Sequence, residues 1–363
     1  MVKSMFAAVA GLRAHQSKMD VIGNNIANVN TFGFKKARAT FRDQFYSTLK
    51  GSSEANNVYG GGNPSQVGYG SLMSSVDVDY GTGSGAPTGN GMDVMILGNG
   101  FFLVGNYAGN GYARISNAAE ADYGLNLTAL SLTRVGIFNV DGQGNLVDSG
   151  SNYVYGFLNN SPYGTAADST TNPPTPYAYG DRLEMLQVPM MYYNTNGDPY
   201  LDANGNYVTV PYQATGTAPA VYDLDSNGQR QLDLTGQPTD TFVAPMALKN
   251  LSIGTDGTVT GMNDLDKIVT IGQIAVANVP NPNALENTMS GYYKAKMNTG
   301  IVTAELPGQG STGKLNPGYL EMANVDLAQE FTDMITTQRG FQANGRIITV
   351  TDSMLEELVN LKR

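Results

Sequence analysis

The fold is decided first by the N-terminal stretch MVKSMFAAVAGLRAHQSKMDVIGNNIANVNTFG, residues 1–33. Steps of three and four residues along it fall on Val2, Met5, Val9, Leu12, Gln16, Met19, Gly23, Ile26 and Asn30. Six of these nine positions are apolar. This 3.5-residue spacing is typical of a coiled-coil seam. The stretch therefore predicts a long helix that stops at Gly33, because glycine adopts the left-handed conformation that ends many helices.

The C-terminal end carries the same spacing. Steps of three and four residues fall on Leu327, Phe331, Met334, Gln338, Phe341, Gly345, Ile348, Asp352, Leu355 and Val359. Seven of these ten positions are apolar. Asp326 precedes the run and Gln329 follows three residues later, which is a favourable arrangement for capping a helix N-terminus. The two ends are predicted to form paired helices over residues 1–33 and 321–363.

Between the ends, the signals are those of β-structure. Short alternating stretches, such as 76–80, are separated by turn dipeptides at Asn90-Gly91, Asn99-Gly100, Asp141-Gly142, Asn204-Gly205 and Asp256-Gly257. Such dipeptides are strong short-range signals for β-hairpins. Several strands with turns and no intervening helical pattern favour antiparallel sandwiches or barrels.

Composition divides this middle part further. Residues 150–245 hold 11 of the 21 tyrosines and a proline-rich run, and their flanks resemble each other. We therefore predict an outer β domain at 150–245, inserted in an inner β domain at 71–149 and 246–305. Residues 34–70 and 306–320 are predicted as an extended linker region. The predicted fold class is mostly β with long terminal α-helices: a terminal helical coiled coil plus two antiparallel β domains.

Charge separates the ends from the middle. The 363 residues carry a net charge of −10, yet residues 1–50 hold eight Lys and Arg against two acidic residues. Residues 51–320 hold nine Lys and Arg against 22 acidic residues, and residues 321–363 hold four Lys and Arg against seven acidic residues. The overall acidity argues against nucleic-acid binding. No apolar run approaches the ~18–20 residues of a membrane span, so no membrane span is predicted.

The residues offer little to a catalytic or metal site. The chain has no cysteine and one histidine, His15, which excludes thiolate chemistry and paired-histidine metal sites. Residues 223–228 match the start of a calcium loop, but Leu234 stands where the loop needs a bidentate Glu. We predict no enzyme activity, no catalytic residue, no metal and no cofactor.

Two terminal strings resemble signatures of one family. Asn24–Lys35, with the residues before it from Ser4 to Ile22, and Gly318–Leu327, with the residues after it to Asn344, resemble those of the bacterial flagellar rod and hook axial proteins. Met322-Ala323 departs mildly, because the family usually has a Ser before Asn324. The inserted segment and the stretch 330–339 resemble the hook branch of that family.

The resemblance implies a structural subunit of the flagellar hook. Many copies would form a hollow curved tube, a universal joint that transmits torque from rod to filament. Export through the flagellar type III apparatus without a cleaved signal peptide is implied, giving an extracellular location. The other partners implied are distal rod, hook cap and hook–filament junction proteins.

The resemblance also implies that the terminal helices are the assembly interface. The residues predicted for it are Met5, Val9, Leu12, Met19, Asn24, Asn25, Ile26, Asn28, Leu327, Phe331, Met334, Gln338, Phe341, Ile348, Leu355 and Val359. The asparagines are expected to bond to neighbouring subunits. The alternatives are a distal rod protein with an insertion, a secreted β-sandwich adhesin or, more remotely, a glycosidase.

Overall fold

The structure is a computed structural model. It describes residues 2–54, 60–106, 112–114, 130–142, 144–158, 182–188, 190–191, 209–210, 248–262, 266 and 268–361. The chain forms two compact units: unit 1 comprises Met1–Tyr80 and Ala323–Arg363, and unit 2 comprises Gly81–Met322. No helix in the described part of the chain is long and apolar enough to cross a membrane.

Unit 1 contains both long helices, α1 (Val2–Ala27) and α2 (Leu327–Asn360). The Asp326 side chain accepts hydrogen bonds from the backbone N–H groups of Ala328 and Gln329, so the predicted N-cap is confirmed. The helix α1 ends six residues before the predicted stop, although Gly33 does have a positive φ of 70°. Two terminal helices on a mostly β chain confirm the predicted fold class in its main terms, mostly β with long terminal α-helices.

The remainder of unit 1 is a β-ribbon, residues 37–53 and 62–78. Strand β1 (Ala37–Asp43) pairs with β4 (Ser71–Val78), and β2 (Tyr46–Lys50) pairs with β3 (Ser65–Gly68), both antiparallel. Backbone hydrogen bonds at residues 44–45 and 69–70 join the two pairs into one continuous hairpin. Much of the predicted linker 34–70 is therefore paired strand, and residues 71–78 belong to the ribbon of unit 1. The glycine-rich composition of 51–70 concealed this pairing.

Unit 2 is antiparallel throughout its described strands. A fourteen-stranded sheet has the path β16-β17-β18-β12-β7-β9-β21-β20, with β8, β10, β11, β13, β19 and β22 attached. The strands before residue 200 are β5 (Gly85–Pro87), β6 (Val94–Leu97), β7 (Phe101–Gly105), β8 (Tyr112–Arg114), β9 (Leu130–Thr133), β10 (Phe138–Val140), β11 (Leu146–Asp148), β12 (Tyr153–Leu158), β13 (Arg182–Met185) and β14 (Met190–Met191). The later strands are β15 (Thr209–Val210), β16 (Lys249–Ile253), β17 (Thr258–Met262), β18 (Ile268–Ile274), β19 (Val276–Asn278), β20 (Glu286–Asn287), β21 (Tyr292–Lys294), β22 (Thr303–Glu305), β23 (Lys314–Pro317) and β24 (Tyr319–Glu321). Short 3₁₀ turns occupy Pro282–Ala284 and Met297–Thr299.

Turn chemistry explains some of these hairpins. Asp141-Gly142 lies in the loop joining the paired strands β10 and β11, and Asp256-Gly257 joins β16 to β17. Asn99-Gly100 joins β6 to β7, which pair with other strands, so the hairpin predicted there is wrong. Asn204-Gly205 lies outside the described residues.

The boundaries of the predicted insert also differ in part. Strands β12 and β13 fall within 150–245, yet β12 pairs with β7 and β18 of the main sheet, and β13 pairs with β12. Strands β23 and β24, near the predicted linker 306–320, pair with β6 and β5. Most of 150–245 lies outside the described residues, so a separate outer domain stays a prediction.

A buried ion pair links the last strand of unit 2 to a residue well inside its sequence. Arg134 Nη1 lies 3.3 Å from Glu321 Oε2, and their side chains are 1% and 0% exposed. Arg134 also donates to the carbonyl of Gly98, and Glu321 accepts from the backbone N–H of Gly83. The Glu321 carboxylate, at the end of β24, thus contacts both Arg134, which follows β9, and Gly83, which precedes β5.

Candidate assembly interface

The two helices pack antiparallel along a seam of small and polar residues. Glu330 near the start of α2 bonds to Asn25 near the end of α1, and Asp333 lies 3.5 Å from Lys18. Further along, a Cβ placed at Gly340 would lie 2.7 Å from His15, and one at Gly11 would lie 2.6 Å from Asn344. The α1 residues step as 11, 15, 18 and 25, with buried Ile22 at the missing step.

This seam corrects the one predicted from apolar spacing. The α1 contacts lie one residue before the predicted 12, 16, 19, 23 and 26. The α2 contacts, together with buried Thr337, lie one residue before 331, 334, 338, 341 and 345. One residue turns a helix by about 100°, so the predicted rows flank the seam. Glycines let two helix backbones approach closely, and Asn25 bonds to Glu330 and Lys18 to Asp333 across the seam.

The predicted interface residues consequently retain accessible surface. Eight are half-buried: Met5, Leu12, Met19, Ile26, Asn28, Met334, Ile348 and Leu355. Seven are exposed: Val9, Asn24, Leu327, Phe331, Gln338, Phe341 and Val359. The sixteenth, Asn25, is buried.

Asn25 is used within the chain. Its side chain is 1% exposed, donates to the Ala37 carbonyl at 2.8 Å and accepts from the Ala37 N–H at 3.0 Å. Its amide also donates to Glu330 Oε2 at 3.2 Å. The expectation that Asn25 bonds to a neighbouring subunit is therefore wrong, because both ends of its amide are taken by the ribbon and α2.

The other two asparagines of that string sit at the end of α1. Asn28 donates to the carbonyl of Asn24 at 2.9 Å, and Thr31 donates to Asn28 Oδ1 at 3.3 Å. The Asn24 carbonyl also accepts from the Asn28 backbone N–H at 3.1 Å, so backbone and side chain of Asn28 together close the last turn of α1. Asn24 is exposed, so its availability to another subunit stays a prediction.

An apolar groove lies on the side of α1 that faces the ribbon. It encloses about 440 Å³ and is lined by Phe6, Val9, Ala10, Arg13, Gln44, Phe45 and Tyr69. Phe45 is 77% exposed and Phe6 is 56% exposed. Lys3 stands near its rim, 5.7 Å from the centre of the Tyr69 ring and 3.2 Å from Ser47 Oγ. Of the lining residues, only Val9 belongs to the predicted interface.

Sequence reasoning missed Phe6 and Phe45 for different reasons. Phe6 lies one residue from the predicted row of α1, on a face that only the position of the ribbon makes into a groove. Phe45 lies in the predicted linker. The available signal for Phe45 was an aromatic residue beside a glycine-rich segment, but sequence spacing does not indicate which residues it contacts.

The helix α2 presents a second apolar surface, which we call the α2 outer row. It consists of Ile347, Val350, Met354, Leu358 and Leu361, between 44% and 81% exposed. Their spacing of three and four residues places them on one face. No described residue of this chain covers that row enough to bury it.

Electrostatics along the seam are mild. The side-chain amide of Gln329 donates to Asp333 at 3.0 Å, and this contact, followed by the charge of Lys18, lowers the pKa of Asp333. Both partners of the Lys18–Asp333 pair keep about a third of their side-chain surface exposed. A pair so exposed contributes little stability, roughly 0–1 kcal/mol. The seam is therefore held mainly by packing and by the Asn25 contacts.

The predictions on metal and catalytic sites concern His15 and the calcium-like segment. In the described part of the chain, no group of three or more Asp, Glu or His side chains is placed to hold a metal ion. His15 packs in the seam against Gly340, and the calcium-like segment 223–228 lies outside the described residues.

Comparison with known proteins assigns the family. Residues 5–35 match the flagella basal body rod protein family, and residues 316–361 match the family described as flagellar basal body rod FlgEFG protein C-terminal. The chain is 32% identical to the flagellar basal-body rod protein FlgG of Bacillus subtilis, over all of both chains. It is 30% identical to the flagellar hook protein FlgE of Borreliella burgdorferi, again over all of both, and 26% identical to that of Escherichia coli, over 98% and 99%.

These helices and signatures define a structural protein of the bacterial flagellar axis. The chain belongs to the flagellar rod and hook axial protein family. Its relatives are named for the hook and the rod, and self-polymerisation along the flagellar axis follows from the family. The resemblance seen in the sequence is confirmed.

Proposed function

We propose that the chain is the subunit of the flagellar hook, a curved tube that works as a universal joint between rod and filament. The supporting observation is the uneven distribution of exposed apolar residues. Among the described residues, 27 large apolar side chains are exposed; 20 lie in unit 1 and seven in unit 2. Concentrated apolar surface of this kind marks a protein–protein interface. Unit 1 is accordingly the part that other copies cover.

The arrangement of unit 1 supports that assignment in detail. The helix seam uses small and polar residues, so the flanking apolar rows, the groove and the α2 outer row stay available to other copies. Each aliphatic side chain that becomes fully buried contributes about 1.5–3 kcal/mol. A subunit that leaves several such side chains exposed gains cohesion when copies pack around a common axis.

The rod is a second candidate with a specific observation behind it. The alignment with the Bacillus subtilis rod protein has 364 positions, one more than this chain's 363 residues. The alignment with the Borreliella burgdorferi hook protein has 468, so at least 105 positions (468 − 363) occur only in that relative. Length therefore does not favour the hook.

Polymer shape separates the two candidates. Purified protein would be polymerised and imaged by electron microscopy. Curved tubes support the hook, straight tubes support the rod, and protein that never forms tubes contradicts both.

A pair of matched variants tests whether unit 1 carries assembly. Phe45→Ser removes a 77% exposed side chain from unit 1, and Ile268→Ser removes a 73% exposed one from unit 2. Both should leave subunit stability nearly unchanged, within about 0.5 kcal/mol. Phe45→Ser should raise the critical concentration for assembly by roughly tenfold or more, because one aromatic contact buried between copies is lost. Equal effects of the two variants contradict the proposal.

The proposed role is structural, with no catalytic residue. Its one histidine, His15, packs against Gly340 in the helix seam. Export with the N-terminus retained is part of the proposal, because cleavage after Ala10 would remove buried Ala8 and the first turns of α1. By family resemblance, distal rod, hook cap and hook–filament junction proteins are the proposed partners, and the extracellular hook is the proposed location.

A further inference from the structure

The base of the β-ribbon is held to the helix pair by two asparagine side chains. Asn25 on α1 meets the first residue of β1, where its amide bonds to both the N–H and the C=O of Ala37. A neighbouring β-strand would make the same two contacts. The same amide donates to Glu330 of α2, so a single side chain joins α1, α2 and the ribbon.

Asn324 makes the matching contact from the other side. This residue precedes α2, and its Oδ1 accepts from the N–H of Lys36 at 2.8 Å while its Nδ2 donates to the carbonyl of Asp79 at 2.8 Å. Lys36 and Asp79 face each other across the base of the ribbon, where the Asp79 N–H donates to the Lys36 carbonyl at 2.9 Å. Asn324 therefore bonds at once to the residue before β1 and the residue after β4.

The geometry of an amide makes these contacts directional. An Asn side chain is planar, with an acceptor and two donors in fixed positions. Two such groups, bonded to backbone on adjacent residues 36 and 37, restrain rotation of the ribbon as well as its distance from the helices. Asn25 is buried and Asn324 is half-buried. A satisfied polar network selects one arrangement among several of similar packing, most strongly where it is buried, as at Asn25. Apolar contacts between α1 and the ribbon are less directional.

We propose that Asn25 and Asn324 are positioning residues that set the angle at which the ribbon leaves the helix pair. This inference rests on the proposed function, because in a helical polymer every copy repeats the same angle and an error in it accumulates along the tube. The helices supply the cohesion between copies, and the two asparagines give each copy the same shape.

The first measurement is amide hydrogen exchange of the full-length subunit. Asn25→Ala removes the acceptor for the Ala37 N–H, and Asn324→Ala removes the acceptor for the Lys36 N–H. Asn25→Ala should accelerate exchange of the Ala37 N–H, and Asn324→Ala that of the Lys36 N–H, each by about fivefold, because each loses one net hydrogen bond. Asn24→Ala is the matched control, since Asn24 is adjacent and exposed and should leave both amides unchanged.

The second measurement reports the ribbon angle. The chain has no cysteine, so Gln16→Cys on α1 and Leu49→Cys on β2 accept one spin label each without background. The distance distribution between the labels should be narrow in the parent and in Asn24→Ala, and shifted or broadened in Asn25→Ala and Asn324→Ala. Unchanged distributions in both variants would overturn the proposal, because the contacts would then be local.

A third variant covers the case in which Asn25→Ala destabilises unit 1. Asn25→Asp combined with Glu330→Gln keeps the acceptor for Ala37 and a neutral partner on α2 but loses the donor to the Ala37 carbonyl. Its carboxylate keeps the single negative charge of the parent site but opposes the Ala37 carbonyl, so the label distances should shift, and circular dichroism checks that the helices remain folded. Native subunits that form no tube would contradict the proposed function, while the label distances would still decide the role of the asparagines.

Discussion

The closeness of the helix seam predicts opposite effects for two glycine substitutions on α2. A Cβ at Gly340 would lie 2.7 Å from two atoms of the His15 ring, whereas a Cβ at Gly345 would meet nothing within 4 Å. Replacing a helical Gly by Ala stabilises the helix by about 0.8–1.0 kcal/mol. Gly345→Ala should gain that amount.

At Gly340 the same gain is opposed by crowding. Inserting a methyl group into a packed site costs roughly 1–3 kcal/mol. Gly340→Ala should therefore be between neutral and about 2 kcal/mol less stable than the parent, and about 1–3 kcal/mol less stable than Gly345→Ala.

The assay is urea unfolding followed by far-ultraviolet circular dichroism, because both long helices lie in unit 1. A double-mutant cycle with His15→Ala identifies the cause, since the smaller side chain should relieve the cost at Gly340 and leave Gly345→Ala unaffected. If Gly340→Ala gains as much stability as Gly345→Ala, the helices are not in close contact there.

Two further predictions concern unit 2. Arg134→Met leaves the buried Glu321 carboxylate without the neutralising charge of Arg134 and should cost about 3–5 kcal/mol. Combining Arg134→Met with Glu321→Gln should recover most of this loss. Urea unfolding followed by tyrosine fluorescence checks the prediction, and a double variant no more stable than the single one contradicts it. Burial raises the pKa of both Tyr292 and Tyr293 to about 12. Because these folded pKa values exceed the unfolded value, the stability they contribute is complete below about pH 10 and is lost as the pH rises toward 12. In a phenolate absorbance titration, Tyr292→Phe and Tyr293→Phe should each remove a step near pH 12, and removal of a step near pH 10 would count against buried phenols.

The sequence pattern predicted the helices and some hairpins correctly, but it did not predict which distant segments contact each other. Asp326 was expected to cap α2 and does so, because capping depends only on residues within one helical turn. The hairpins at Asp141 and Asp256 follow for the same reason. The ribbon was missed because its two strands are joined through a segment whose glycines suggest a linker.

The interface shows where apolar spacing misleads. Spacing locates apolar rows, and it found those containing Met5, Leu12 and Phe331. It does not recognise a seam made from Gly11, Gly340 and polar pairs, since small residues contribute no apolar signal. The predicted rows are one residue away from the seam, which is why they remain accessible.

The amino-acid sequence alone established the terminal helices, the β character between them, the lack of cysteine chemistry and the resemblance to the axial family. Each of these depends on local spacing, composition or a contiguous signature. The face on which the helices meet, and the use of Asn25 and Asn324 within the chain, emerged from the tertiary structure. Helix pairing brings together residues about three hundred positions apart, such as Asn25 and Glu330. The face on which the helices pack then depends on how closely their backbones approach and on whether buried amides find hydrogen-bond partners. Local spacing determines neither.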